Sequence, residues 1–200
     1  MLVGVRGTGA GGPVVALVSS AGGLDALARV LSPLPPGYPA AVIALQHLDP
    51  IRASGLAAIL AHRAQLPVRF AEQGTELTPG VVVVAPPGLH TLVLPDRTLR
   101  LIVSGAAPPS RPSADLLLTT LAISVGAAAI AVVLSGGGHD GATGATAVHD
   151  LGGTVIAADE HSSEQFSMPH ATIGRADAVD HVAGVDQIAG LLQSLVVARS

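Results

Sequence analysis

The sequence predicts an α/β domain: a doubly wound, mainly parallel sheet with helices on both faces and an antiparallel hairpin. Three observations carry this. Short, nearly continuous apolar runs recur at 14–18, 40–45, 81–85, 127–134 and 154–158. Strands read this way when both faces are covered and neither side chain row meets water. Segments with a helical period separate most of these runs, the pattern of strand–helix–strand units. Two of the runs end in turns rich in glycine and serine, the kind of turn that joins a strand to a helix in a tight space.

In order, strand 14–18 leads through Ser19-Ser20-Ala21-Gly22-Gly23 into helix 22–31, which Pro33-Leu34-Pro35-Pro36-Gly37 ends. Strand 40–45 is followed by the loop Gln46-His47-Leu48-Asp49-Pro50. Helix 54–64 has Ser54 as a cap. Strands 68–71 and 81–85 flank a turn-rich loop. Strands 90–94 and 99–103 form the hairpin around Pro95-Asp96-Arg97-Thr98. Residues 105–112 are rich in proline and serine and suit a lid or rim loop. Helix 113–124 has Ser113 as its cap and Asp115 in its first turn. Strand 127–134 is central, and the glycine-rich loop 135–141 and helix 142–151 follow it. Gly152-Gly153 stops that helix. Strand 154–158, a polar segment 159–168, a short helix 169–174 started by Pro169, an apolar stretch around Val179 and a terminal helix 185–197 complete the chain. Residues 1–13 are expected to be a flexible segment ahead of one domain, 14–200. There is no internal repeat.

Composition narrows the function. At 200 residues the chain is long enough for one full core. Only 12% of residues are charged, the formal charge is −4 and the basic residues are scattered, so nucleic acid and anionic membrane are poor partners. The chain has no cysteine, which removes disulfides, thiol catalysis and thiolate metal sites. The most apolar stretch is too short to span a bilayer and no signal peptide is evident, which suits a cytoplasmic protein without direct membrane insertion. Eight histidines raise a metal hypothesis, but no His-Glu-x-x-His or close ligand cluster supports one, and no cofactor is expected. Neither glycine-rich turn carries a nucleotide-binding signature.

Ligands of such folds sit beyond the carboxyl ends of the strands. Ser20, His47 and Asp140 all fall there. A serine hydroxyl needs a base to become a nucleophile, an imidazole supplies that base, and a carboxylate orients and stabilises the imidazole. Each residue also has a plainer reading: Ser20 and Asp140 as helix caps, His47 as a loop histidine. Ser19 competes with Ser20 as nucleophile, but alternation along the strand turns it to the other side. The N–H groups of Ala21 and Gly22 could bind a developing oxyanion, and Gly136–Gly138 could add donors or room. His90 could line the same rim, or be an ordinary hairpin histidine. Arg111 could take a carboxylate. His170 could reach substrate, although packing and helix initiation are the default for Met168-Pro169-His170.

At these residues the sequence resembles the catalytic domain of CheB-type chemotaxis protein-glutamate methylesterases. The resemblance runs through Ser19-Ser20-Ala21-Gly22-Gly23, Gln46-His47, Gly80 with Ala85-Pro86, His90, Arg111-Pro112-Ser113-Ala114-Asp115, 134–144, Gly152-Gly153 and Met168-Pro169, nearly the whole chain. It implies Ser20 as nucleophile, His47 as general base and Asp140 as orienting acid. It implies hydrolysis of glutamate γ-methyl esters on methylated chemoreceptors or another signalling protein, with release of methanol, and deamidation of receptor glutamines. No metal or organic cofactor is implied. The chain departs from the family pattern in places: Val18 replaces a glycine, Ser135-Gly136-Gly137-Gly138 stands where Thr-Gly-Met-Gly is usual, and Pro108-Pro109-Ser110 replaces an asparagine-containing approach to Arg111. Gly137 thus lacks the methionine of the active-site wall, and a larger or looser pocket is expected there. No receiver domain precedes residue 14, so a stand-alone catalytic unit is expected. A serine esterase or amidase with another substrate, and an inactive protein-binding module, are the alternatives.

Overall fold

The structure is a computed structural model and describes residues 11–49, 54–103, 112–175 and 177–198. The chain runs β1 (Val14–Ser19), α1 (Gly23–Leu31), β2 (Ala41–Gln46), α2 (Leu56–Arg63), β3 (Val68–Phe70), β4 (Val82–Val84), β5 (His90–Val93), β6 (Leu99–Ile102), α3 (Ala114–Val125), β7 (Ala129–Val133), α4 (Ala142–Asp150), β8 (Thr154–Ala158), α5 (Ser167–Ile173), β9 (His181–Ala183) and α6 (Val185–Val197). Seven strands form one sheet in the order β3-β4-β2-β1-β7-β8-β9, and every pairing in it is parallel. The antiparallel pair β5-β6 stands apart as the expected hairpin.

The apolar runs are continuous because each central strand is buried on both faces. Val15 and Leu17 of β1 join one core with α1, α2 and α6, whereas Val14, Ala16 and Val18 join a second core with α3, α4 and Met168 of α5. Alternation along a strand sends neighbours to opposite faces, so one apolar run serves two layers. Sheet order decides where a ligand can sit. From β1 the chain builds one half of the sheet through β2, β4 and β3. From β7 it builds the other half through β8 and β9. The β1/β7 junction is therefore a topological switch point, and a crevice opens there beyond the carboxyl ends of the strands.

Several expectations are refined. Gly11 to Pro13, read as part of a loose segment, are tied down: Arg97 donates to the carbonyls of Gly11 and Gly12, and Pro13 accepts from Ala41 N–H. Residues 1–10 lie outside the described residues. The helix at 169–174 starts two residues earlier, at Ser167, which leaves Pro169 still within the first turn. The apolar stretch around Val179 leads into the edge strand β9, two residues later. Among the described residues no helix is long and apolar enough to cross a membrane.

Helices α3 and α4 approach so closely that Gly144 has no space for a side chain. A Cβ there would lie 2.6 Å from Leu118 Cβ and 2.8 Å from the Asp115 carbonyl oxygen. Gly144→Val is expected to destabilise the fold by roughly 1–3 kcal/mol through overpacking, measured as a lower urea midpoint.

Candidate active site

The parallel register brings the first two site residues together. Ser19 pairs with Gln46 across β1 and β2, so Ser20 and His47 leave the sheet side by side. Backbone hydrogen bonds extend one step past the strands: His47 N–H donates to the Ser19 carbonyl at 3.0 Å, and Ser20 N–H to the Ser135 carbonyl at 2.9 Å. Ser19 is fully buried and donates its hydroxyl to the Leu45 carbonyl, which removes it as a rival nucleophile.

Tight packing forces the turn after β1 to be made of small residues. Gly22 has φ +74°, a conformation that favours glycine. A Cβ at Gly23 would collide with the Ser19 side chain, and one at Gly136 with Met168 and, at 2.9 Å, Ser20 Cβ. The N–H groups of Ala21 and Gly22 have no hydrogen-bond acceptor among the described residues, which leaves them as free donors beside Ser20. Ser20, Ala21, Gly22, Gln46 and His47 line a cleft of about 540 Å³, together with Leu24, Asp25, Arg63 and Glu164.

Asp140 reaches His47 from the end of β7. Its Oδ2 lies 2.8 Å from His47 Nε2. A carboxylate at this place favours the tautomer with the imidazole proton on Nε2, in which Nδ1 keeps its lone pair. Three more donors converge on the same carboxylate: the Ser113 hydroxyl at 3.1 Å, Ala114 N–H at 2.8 Å and Asp115 N–H at 2.9 Å. Burial pushes the Asp140 carboxyl up. The hydrogen bonds from His47, Asp115 and Ala114 together outweigh it and hold the carboxyl down at about 2, against an ordinary 3.8.

Asp140 therefore is a helix cap, but not of the helix that follows it. It binds the first-turn N–H groups of α3. The amino end of α4 is served in return by Asp115, whose Oδ1 accepts from Gly141 N–H at 2.9 Å and Gly144 N–H at 2.8 Å. Ser113 accepts from Leu116 N–H at 3.4 Å, the local cap expected of it.

His90 is not at the rim. It is 1% exposed in β5, and its Nδ1 accepts from Ser113 N–H at 3.1 Å, so it supports the turn that carries Asp140's donors. Gly137 and Gly138 are exposed and do not line the cleft; a Cβ at either position would meet nothing within 4 Å. Gly136 is the glycine of this loop that touches Ser20. Arg111 and most of the 105–112 connection lie outside the described residues. His170 is exposed on α5 against Phe166 and does not line the cleft. Among the described residues no three His, Asp or Glu side chains gather as a metal site. Asp115, Arg63 and Glu164 were not singled out as site residues from sequence. Asp115 carried a signal, an acid in a helix's first turn; the other two carried none, because only the fold brings them to the cleft.

A serine on a strand–turn–helix, an imidazole and a part-buried carboxylate at three neighbouring strand ends have the form of a serine-hydrolase site on a doubly wound sheet. The chain belongs to the CheB methylesterase family, which it matches over residues 15–192. It is 40% identical over 161 residues to protein-glutamate methylesterase FrzG of Myxococcus xanthus, covering 80% of this chain and 48% of that protein. It is also 40% identical over 182 residues to protein-glutamate methylesterase/protein-glutamine glutaminase 2 of Anaeromyxobacter dehalogenans, covering 91% and 53%. The crystal structure of the Thermotoga maritima CheB methylesterase catalytic domain superposes with a TM-score of 0.87 at 34% identity, covering 92% of this chain and 99% of that one. The chain spans about half the length of the curated relatives it matches.

Two outcomes are expected. Asp115→Ala leaves two N–H groups of α4 unpaired and lowers stability by about 1–3 kcal/mol in urea unfolding. The Asp140 carboxyl is depressed in the folded state, so its contribution to stability is complete above its ordinary 3.8 and is lost as pH falls towards about 2. Acid unfolding followed across that interval should be flatter for Asp140→Asn than for the unaltered protein.

Proposed function

We propose that this chain hydrolyses γ-methyl esters of glutamate residues in chemoreceptor proteins, on their cytoplasmic segments, and deamidates glutamines at equivalent positions. The observation that carries the reading is the His47–Asp140 hydrogen bond in the cleft that Ser20 lines. The family membership and the names of the relatives support the substrate class.

In this reading His47 Nδ1 takes the Ser20 proton as Oγ attacks the ester carbonyl. The N–H groups of Ala21 and Gly22 receive the oxyanion of the tetrahedral intermediate. The protonated imidazole, stabilised by ionised Asp140, gives its proton to the departing methoxy oxygen, and methanol leaves. The glutamyl–Ser20 ester is then attacked by water, whose proton passes to His47. Collapse of the second intermediate returns that proton to Ser20 and releases a glutamate. An amide substrate follows the same path with ammonia as leaving group.

Methanol release from a methylated chemoreceptor fragment tests the reading. The unaltered protein should release methanol, and Ser20→Ala should lose at least ~10³-fold of that activity. Asp140→Asn should lose ~10²–10⁴-fold, because the imidazole is no longer held in the basic tautomer. Absence of release by the folded, unaltered protein would overturn the proposal in favour of another ester or amide, or a binding module.

A further inference from the structure

We infer that Glu164 sets the selectivity of the cleft for neutral side chains, ester and amide, over the carboxylate that the reaction produces; this rests on the hydrolase reading above. Glu164 lies in the segment between β8 and α5, which crosses the amino end of α1. A hydrogen-bonded path holds it there. Gln165 N–H donates to Ser135 Oγ at 2.9 Å, and that hydroxyl donates to the carbonyl of Ala21, the residue after Ser20, at 2.8 Å. On the other side, Asp159 Oδ1 accepts from Ser162 N–H at 2.9 Å and its hydroxyl at 2.6 Å, which closes the turn before Glu164. Glu164 is thereby laid directly on Gly22. A Cβ at Gly22 would meet Glu164 Cβ at 2.7 Å and its Oε2 at 2.8 Å, so glycine at 22 lets the exposed Glu164 lie this close to the turn.

The other charges in the cleft are placed differently. Asp25 faces Arg29 at 3.6 Å, and Arg29 is itself held by Asp186 at 2.6 Å. Arg63 lines both the cleft and the groove beside Ser32, Pro33 and Asp186. Glu164 has no ion-pair partner among the described residues, and it touches the residue two positions from Ser20. A charge acts most strongly on the nearest reacting group. A methyl ester or amide is neutral and feels this carboxylate weakly. The glutamate left after hydrolysis is an anion and is repelled. Demethylated sites are thus kept from occupying the cleft, and product leaves more readily. The same field opposes the oxyanion, so selectivity is gained against some rate.

The test measures binding without turnover. In a Ser20→Ala background, the affinity for a methylated chemoreceptor cytoplasmic fragment is compared with that for the same fragment after alkaline hydrolysis of its methyl esters. The methylated form should bind roughly 3–10-fold more tightly at low salt, with the ratio shrinking as salt is raised. Glu164→Gln in the same background should bring the ratio to within about twofold by strengthening binding of the hydrolysed form. Equal affinities before the change, a ratio unmoved by Glu164→Gln, a ratio that responds only to Arg63→Gln, or no binding of either form would each overturn the inference. Methanol release by the protein with Ser20 intact is scored separately. An enzyme that turns over but whose ratio ignores Glu164 refutes this inference and leaves the hydrolase reading standing.

Discussion

Two aspartates cap each other's helices, and the site depends on that exchange. Asp140, at the start of α4, binds N–H groups at the start of α3; Asp115, in the first turn of α3, binds N–H groups at the start of α4. Each carboxylate satisfies donors that would otherwise be orphaned at a helix amino end, where the helix dipole also favours negative charge. The result is a rigid corner, with Gly144 allowing the two helices to touch. Both Asp140 oxygens take part in the capping, and Oδ2, which accepts from Ala114 N–H, also faces His47, so the capping bonds fix where that oxygen points. Positioning of the imidazole is thus a by-product of how two helices are joined, and His90 buttresses the same corner through Ser113.

The Ser20 side of the cleft is built on close approach instead. Ser20 sits between Gly136 and the turn Ala21-Gly22-Gly23, and Met168 closes the space behind Gly136. Side chains larger than hydrogen would push the turn away from β7 and spoil the N–H donors beside Ser20. Gly137 and Gly138 belong to the open side of the same loop. A side chain at 137 would meet nothing within 4 Å of its Cβ, so this position is not glycine for want of space. The two glycine-rich stretches therefore differ in kind: one is glycine because atoms collide, the other is exposed.

Charge at the cleft is uneven. The helix α1 amino end, with its free N–H groups, attracts anions, yet two carboxylates of the chain itself, Asp25 and Glu164, stand beside it. Such an arrangement tempers an oxyanion site. It fits a reaction that begins with an uncharged side chain and ends with a charged one, and it places discrimination in a loop that contributes nothing to the hydrogen bonds of His47.

How much was legible in the sequence follows from what each signal depends on. Apolar runs set by burial on both faces, proline and glycine at element ends, and Ser113 as a cap are local, so the strands, helices and hairpin could be read directly. Ser20, His47 and Asp140 were legible as residues at strand ends because parallel α/β sheets gather those ends on one edge. The sheet order, the partner that Asp140 caps, the burial of His90 and the approach of Glu164 to Gly22 are decided by contacts between segments far apart in the chain. Local composition holds no record of them: Asp140 looks like a cap for its own helix, and Glu164 like any solvated acid in a polar loop. Only the assembled sheet, which brings 20, 47, 113–115, 140 and 164 to one edge, turns those residues into a site.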